Sequence, residues 1–242
     1  MQLKAGSGHP RGAAAGTVAL RIRATAIVRR LRHGRPAAQV ELNHESPLEL
    51  LIATILSAQC TDARVNQVTP ALFRAYPTVE ALAHAPVEEV ERLIRSTGFF
   101  RAKARSILGC CRELVARHGG QVPDTMEDLT ALPGVGRKTA NVVLGAGFGI
   151  PSGIVVDTHA SRVARRLRLT RHTDPVRIER DLSELIPKKN WIFVSIALVL
   201  HGRYVCLARR PRCGTCGLRA HCPSRDLAAA GPHRPPRDRG RG

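Results

Sequence analysis

The sequence predicts an all-α protein, and three observations carry that prediction. Aromatic residues make up only 3% of a chain that is 43% hydrophobic, so its core must rest on Leu, Val, Ile and Ala, which suit helices better than sheets. Alternating apolar runs bounded by turn pairs, the mark of strands, are scarce. Helix start and stop signals, by contrast, recur along the chain.

The first of these is Ser46-Pro47-Leu48-Glu49. Ser46 can cap, Pro47 suits a first turn, and Glu49 can complete a capping box. The apolar run Leu50, Leu51, Ile52, Ile55 and Leu56 makes this a largely buried helix ending near Ser57-Ala58-Gln59. A second helix begins at Pro86, places Glu88 and Glu89 where they complement the helix dipole, and stops at Gly98. Phe100-Arg101-Ala102-Lys103 then opens a basic amphipathic helix, with Ile107, Leu108, Leu114 and Val115 at helical spacing. Thr125 and Asp128 form another capping box, for a short helix ending at Leu132. Residues 1–17 and 224–242 are rich in Gly, Pro, Ala and Arg without apolar periodicity, and read as disordered basic tails.

Charge narrows the partners. The 38 Lys and Arg against 19 Asp and Glu leave +19, which draws a chain to polyanions because each neutralised phosphate releases counterions. Nucleic acid is the favoured partner. Residues 1–17 lack the apolar segment of a signal peptide, and the most apolar stretch, Trp191 to Leu200, is too short for a bilayer, which needs about 20 residues. A soluble cytoplasmic protein without a membrane partner is expected. Seven cysteines are an odd number for a secreted disulfide framework, and clustered cysteines in a reducing compartment are more often metal ligands.

The chemistry-bearing residues come in order. In Leu132-Pro133-Gly134-Val135-Gly136, Pro133 stops one helix and the two glycines permit positive φ or close backbone approach. The chain re-enters a helix at Arg137-Lys138-Thr139, so backbone N–H groups and the positive helix end can hold a phosphate without reading sequence. Lys138 lies in that first turn, where the dipole and Arg137 favour loss of its proton; a neutral lysine can form a Schiff base with a sugar aldehyde carbon. By position alone, a phosphate contact is the stronger reading of Lys138. Downstream, Val156-Asp157-Thr158-His159 leads into a basic helix from Ala160 to Arg168. Asp157 is placed to cap that helix, and the same carboxylate could stabilise developing positive charge or relay a proton. His159 reads as a local hydrogen-bonding or phosphate-side residue. Cys206, Cys213, Cys216 and Cys222 have the spacing C-x6-C-x2-C-x5-C, which suits either zinc or a [4Fe-4S] cluster, with Arg209, Arg210, Arg212 and Arg219 around them as candidate DNA-backbone contacts. Cys60, Cys110 and Cys111 read as small apolar residues.

Hairpin, lysine, aspartate and cysteine loop in this order resemble the endonuclease III family of helix-hairpin-helix DNA glycosylases, from about residue 18 to 223. The most specific pieces run from Leu132 to Leu144, then Val156 to His159, then the cysteine loop; Leu56-Ser57-Ala58-Gln59 and His201-Gly202-Arg203-Tyr204 are similar too. The resemblance implies a six-helix barrel domain with the hairpin (41–150) and a [4Fe-4S] cluster domain (151–223) joined by an N-terminal helix (18–40). It implies a monomer acting on double-stranded DNA that contains damaged bases or abasic sites, with the damaged nucleotide flipped into a pocket. Lys138 would attack C1′ of the sugar, expel an oxidised pyrimidine such as thymine glycol, and cut the strand 3′ to the abasic site by β-elimination. Asp157 would assist base loss, Gln59 would fill the gap left by the flipped base, and Phe99 would wedge into the other strand. Gly134, Val135, Gly136, Arg137, Thr139 and His159 would contact DNA, and the four cysteines would hold a structural cluster.

Three departures accompany the resemblance. The chain is one residue longer between Lys138 and Asp157, around Gly147 to Gly153, which bears on the pocket rim. Phe99 stands where the family pattern has Leu, which bears on the base opposite the lesion. Cys60 stands where a smaller residue is commoner. The alternatives are an adenine-mismatch glycosylase of the same fold, a branch that generally lacks this lysine and carries a further C-terminal domain, and a weakly active or noncatalytic DNA-binding paralogue.

Overall fold

The structure, a computed structural model, describes residues 11–226. Eleven α-helices and no strand occur among them: α1 (Arg11–Gly34), α2 (Pro47–Leu56), α3 (Asp62–Ala75), α4 (Val79–Ala83), α5 (Val87–Ile94), α6 (Phe100–His118), α7 (Met126–Ala131), α8 (Arg137–Val142), α9 (Thr158–Arg166), α10 (Pro175–Leu185) and α11 (Trp191–Tyr204). The all-α prediction holds. The chain forms two compact units: one is Gln39–Val155 with Trp191–Ile196, and the other takes the residues up to Ala38, Val156–Asn190, and the chain from Ala197 onward.

The unit of Gln39–Val155 is built around α2. Every residue from Leu50 to Leu56 is buried, at about 1.5–3 kcal/mol for each large aliphatic side chain. The one hydroxyl in that run, Thr54, donates to the Leu50 carbonyl at 2.7 Å, so no polar group is buried unpaired. Helices α3, α6 and α8 pack on α2, and α4 and α5 pack on the far side of α6. The start of α2 is the expected cap with one change. Ser46 Oγ accepts from the Glu49 N–H at 3.2 Å, but the Glu49 carboxylate accepts from the Glu45 N–H at 2.8 Å, one residue earlier than a capping box requires. The helix that opens at Pro86 tightens into a 3₁₀ turn over Arg95–Thr97 before Gly98 ends it.

In the other unit α1 buries Ala24, Ile27, Val28 and Leu31, one stripe of a 3.6-residue period, and packs on α10. Arg23 of α1 donates to the Arg168 carbonyl at 3.0 Å and also reaches Leu167 O, satisfying groups just past the end of α9. Helix α1 begins at Arg11, so residues 11–17, read above as tail, are its first two turns, and the run Ala13-Ala14-Ala15 has high intrinsic helix propensity. The remainder of the expected tails, residues 1–10 and 227–242, lies outside the described residues. Among the described residues no helix is long and apolar enough to cross a membrane.

Candidate active site and cysteine loop

The hairpin between α7 and α8 is closed by a hydrogen bond from the Val135 N–H to the Leu132 carbonyl at 3.1 Å. Gly134 has φ of +77°, and a Cβ there would stand 2.6 Å from Ser106 Cβ on α6. Three residues along α6, Gly109 lets Pro133 approach, since a Cβ would sit 3.3 Å from the proline ring. Gly136 is different. It caps α8 with an extended backbone at φ −94° and ψ 172°, as N-cap residues do, and a Cβ there would meet nothing within 4 Å. Only the first glycine is demanded by the fold; the second leaves open space at the helix start.

Lys138 is exposed in the first turn of α8, and its ammonium makes no hydrogen bond or ion pair with any described residue. Its neighbours are better held. Thr139 is half-buried, Asn141 is buried, and Ser152 Oγ donates to Asn141 Oδ1 at 2.7 Å. That bond ties the segment after α8 back onto it, as does a 2.8 Å bond from the Ile150 N–H to the Leu144 carbonyl.

Gln59 and Phe99 lie in two loops of this same unit and share a conformation. Both are left-handed, at φ +52° and +48°, which costs a non-glycine residue about 1–2 kcal/mol. Phe99 is 66% exposed and forms the N-cap of α6. Lys103, read in the sequence as part of a basic helix face, is instead buried; its Nζ donates to the Thr97 carbonyl at 2.8 Å. Cys110 and Cys111 are buried in the core as expected, and burial pushes the Cys110 thiol up to about 12.

Asp157, in the other unit, caps α9: its Oδ1 accepts from the Ala160 N–H at 2.7 Å, and Oδ2 makes no hydrogen bond with a described residue. Asp157 is half-buried, so the cap fixes a carboxylate with one oxygen still available. His159 is a local hydrogen-bonding residue, its Nδ1 3.3 Å from Arg162 Nη2. Its backbone and Cβ press on Gly202, where a Cβ would come within 2.8 Å, which explains the glycine in His201-Gly202.

The four cysteines of the loop line a single cavity with His201, Val163 and Arg166. All four are half-buried free thiols. Burial, and the neighbouring cysteines after it, raise the pKa of Cys216 and Cys222, so four thiolates there need a cationic partner. Among the described residues no group of three or more His, Cys, Asp and Glu is arranged to hold a metal ion. The sequence missed what holds this loop. Arg162 and Arg166, one turn apart on α9, turn inward: Arg162 donates to Gly202 O (2.6 Å) and Cys206 O (3.0 Å), and Arg166 to Leu207 O (2.6 Å), Ala208 O (3.0 Å) and Cys206 Sγ (3.3 Å). Arg209, Arg210, Arg212 and Arg219 are exposed as expected.

Residues 52–188 match the HhH-GPD superfamily of base excision DNA repair proteins. An endonuclease III from Synechocystis is 56% identical over 202 residues, 84% of this chain and 92% of the relative. The chain belongs to the endonuclease III family. It is accordingly a DNA glycosylase and AP lyase of base excision repair. The endonuclease III of Escherichia coli is 44% identical over 81% of this chain and 92% of its own. A solved endonuclease III trapped as a covalent intermediate with DNA superposes with a TM-score of 0.82 at 42% identity, covering 86% of this chain and 98% of that one. A thermostable thymine-DNA glycosylase, 21% identical with a TM-score of 0.78, shares the fold. Within this endonuclease III family member, Lys138, the hairpin, Gln59 and Phe99 belong to the unit of α2 to α8, and Asp157, His159 and the cysteines belong to the other.

Proposed function

We propose that this chain removes oxidised pyrimidines such as thymine glycol from double-stranded DNA, with Lys138 as nucleophile. The observation that carries the reading is an exposed amine without a partner, one turn past a hairpin whose backbone is shaped for a phosphate. Anchored elsewhere by Gly134, Val135, Gly136, Arg137 and Thr139, DNA would present the flipped sugar to that amine. The neutral Lys138 amine adds to C1′; the glycosidic bond breaks and its electron pair leaves with the base, which takes up a proton. Loss of the amine proton and opening of the sugar ring leave an imine at Nζ. Removal of a C2′ proton then expels the 3′ phosphate, cutting the strand 3′ to the lesion. Asp157, held in one orientation by its cap bond, stabilises the positive charge that develops on the sugar as the base departs.

Cys206, Cys213, Cys216 and Cys222 fit a [4Fe-4S] cluster: their four thiols line one cavity, and a cluster takes four thiolates. Bound there, the cluster supplies structure, stapling the loop that Arg162 and Arg166 hold by its carbonyls. The protein acts as a monomer in the cytoplasm. The reading is tested by a panel of duplex oligonucleotides, each with one lesion, scored separately for free base and for strand cleavage. Thymine glycol should yield both, and adenine opposite guanine or its oxidised form neither; adenine release without cleavage would replace this reading by that of a mismatch glycosylase.

A further inference from the structure

Lys103 is 95% buried by accessible surface, in a position where helical periodicity calls for an aliphatic side chain. A buried ammonium is costly unless it makes strong hydrogen bonds. Its Nζ donates to the Thr97 carbonyl at 2.8 Å. Thr97 is followed by two left-handed residues in succession, Gly98 at φ +68° and Phe99 at φ +48°. The carbonyl that Lys103 grips thus lies two residues before Phe99, at the start of the turn that leads into α6. Lys103 also lies within electrostatic range of Cys60, the residue after left-handed Gln59. Burial holds the Lys103 pKa below the ordinary lysine value and Cys60 pulls it partway back. The next turns of α6 present Ser106 and Gly109 to Gly134 and Pro133, so the helix that starts at Phe99 also seats the hairpin.

We propose that Lys103 is a positioning residue that holds the Phe99 turn in the geometry needed to open duplex DNA. It touches no DNA itself. The proposal rests on the reading of Phe99 as wedge, and it adds the group that keeps that turn strained in the free protein. A neutral side chain of similar length would leave the core filled and the Thr97 carbonyl without its donor.

The duplex requirement makes a test. A wedge matters only where a base must be unstacked, so an abasic site in a single strand needs none. Lys103→Met, Phe99→Ala and wild type are compared on two substrates: a duplex with thymine glycol, scored for base release, and a single-stranded abasic oligonucleotide, scored for borohydride trapping. We expect Lys103→Met to lose at least tenfold in base release from duplex, as Phe99→Ala does, while single-strand trapping stays within about twofold of wild type. A 2-aminopurine beside the lesion should brighten less with Lys103→Met than with wild type, because its stacking is broken less often. Wild-type excision by Lys103→Met alongside a defective Phe99→Ala overturns the role of Lys103 and leaves the wedge standing. Wild-type excision by Phe99→Ala overturns the wedge reading and the proposal with it. An equal loss of both activities by Lys103→Met shows a general folding role and overturns the proposal.

Discussion

Replacing Gly134 by alanine should strike the hairpin twice. The backbone at φ +77° costs an L-residue about 1–2 kcal/mol. The new methyl would also stand 2.6 Å from Ser106 Cβ and 2.9 Å from its Oγ, and relieving an overlap of that kind typically costs a further 1–3 kcal/mol, roughly. The sum is about 2–5 kcal/mol, a large part of the stability of an ordinary domain. The two parts can be separated, because the atom in the way belongs to one side chain. In a Ser106→Gly background the nearest remaining atom is Ser106 Cα at 3.7 Å, an ordinary contact, so Gly134→Ala should then cost only the backbone share of about 1–2 kcal/mol. Ser106→Gly has its own cost of about 1 kcal/mol in a helix interior, which the double-mutant cycle subtracts. Urea unfolding followed by circular dichroism on the four proteins gives the cycle directly. A Gly134→Ala cost that is the same in both backgrounds would refute the overlap, and a cost near zero would refute the hairpin geometry.

Other outcomes follow from the same structure. Asp157→Asn should keep DNA affinity and lose most base excision in a glycosylase assay, because the amide oxygen still accepts the Ala160 N–H; Asp157→Ala should lose that cap as well, at about 1 kcal/mol in thermal unfolding. Arg166→Met should leave iron bound at purification but speed its loss in air, followed by visible absorption, because three carbonyl and thiol contacts to the loop go with the guanidinium. Cys110, with its thiol pushed up to about 12, and Cys111, pushed higher still, should resist iodoacetamide at pH 8.5 until the protein unfolds. The sign follows: both thiols are favoured protonated in the folded state, so their contribution is complete below the unfolded thiol value of 9.0 and is lost as pH rises toward 12, which alkaline unfolding of Cys110→Ala should show as a shallower decline.

What was legible in the sequence was local. Ser46, Thr125 and Asp157 cap their helices because a side chain two or three residues from an N–H needs no distant partner. The same signals at Thr61, Thr78 and Asp174-Pro175 mark α3, α4 and α10, and a fuller use of them finds those helices too. Burial of a charge was not legible. Lys103 sits between Arg101 and Arg105 in a helix start that looks uniformly basic, and only its burial and its bond to the Thr97 turn show which of the three cations points inward. Arg162 and Arg166 are the same case: a basic helix suggests a DNA face, yet their acceptors are carbonyls some 40 residues on. The two glycines of the hairpin look equivalent in the sequence and differ in space, since only Gly134 faces α6.

The amine of Lys138 is the proposed nucleophile. Borohydride reduction of the protein on duplex DNA containing thymine glycol, followed by nuclease digestion, proteolysis and mass spectrometry, places the sugar remnant on one residue. The remnant should lie on Lys138, and Lys138→Ala should give no adduct while still binding the DNA. A remnant on another amine, or trapping by Lys138→Ala at the wild-type level, would contradict it.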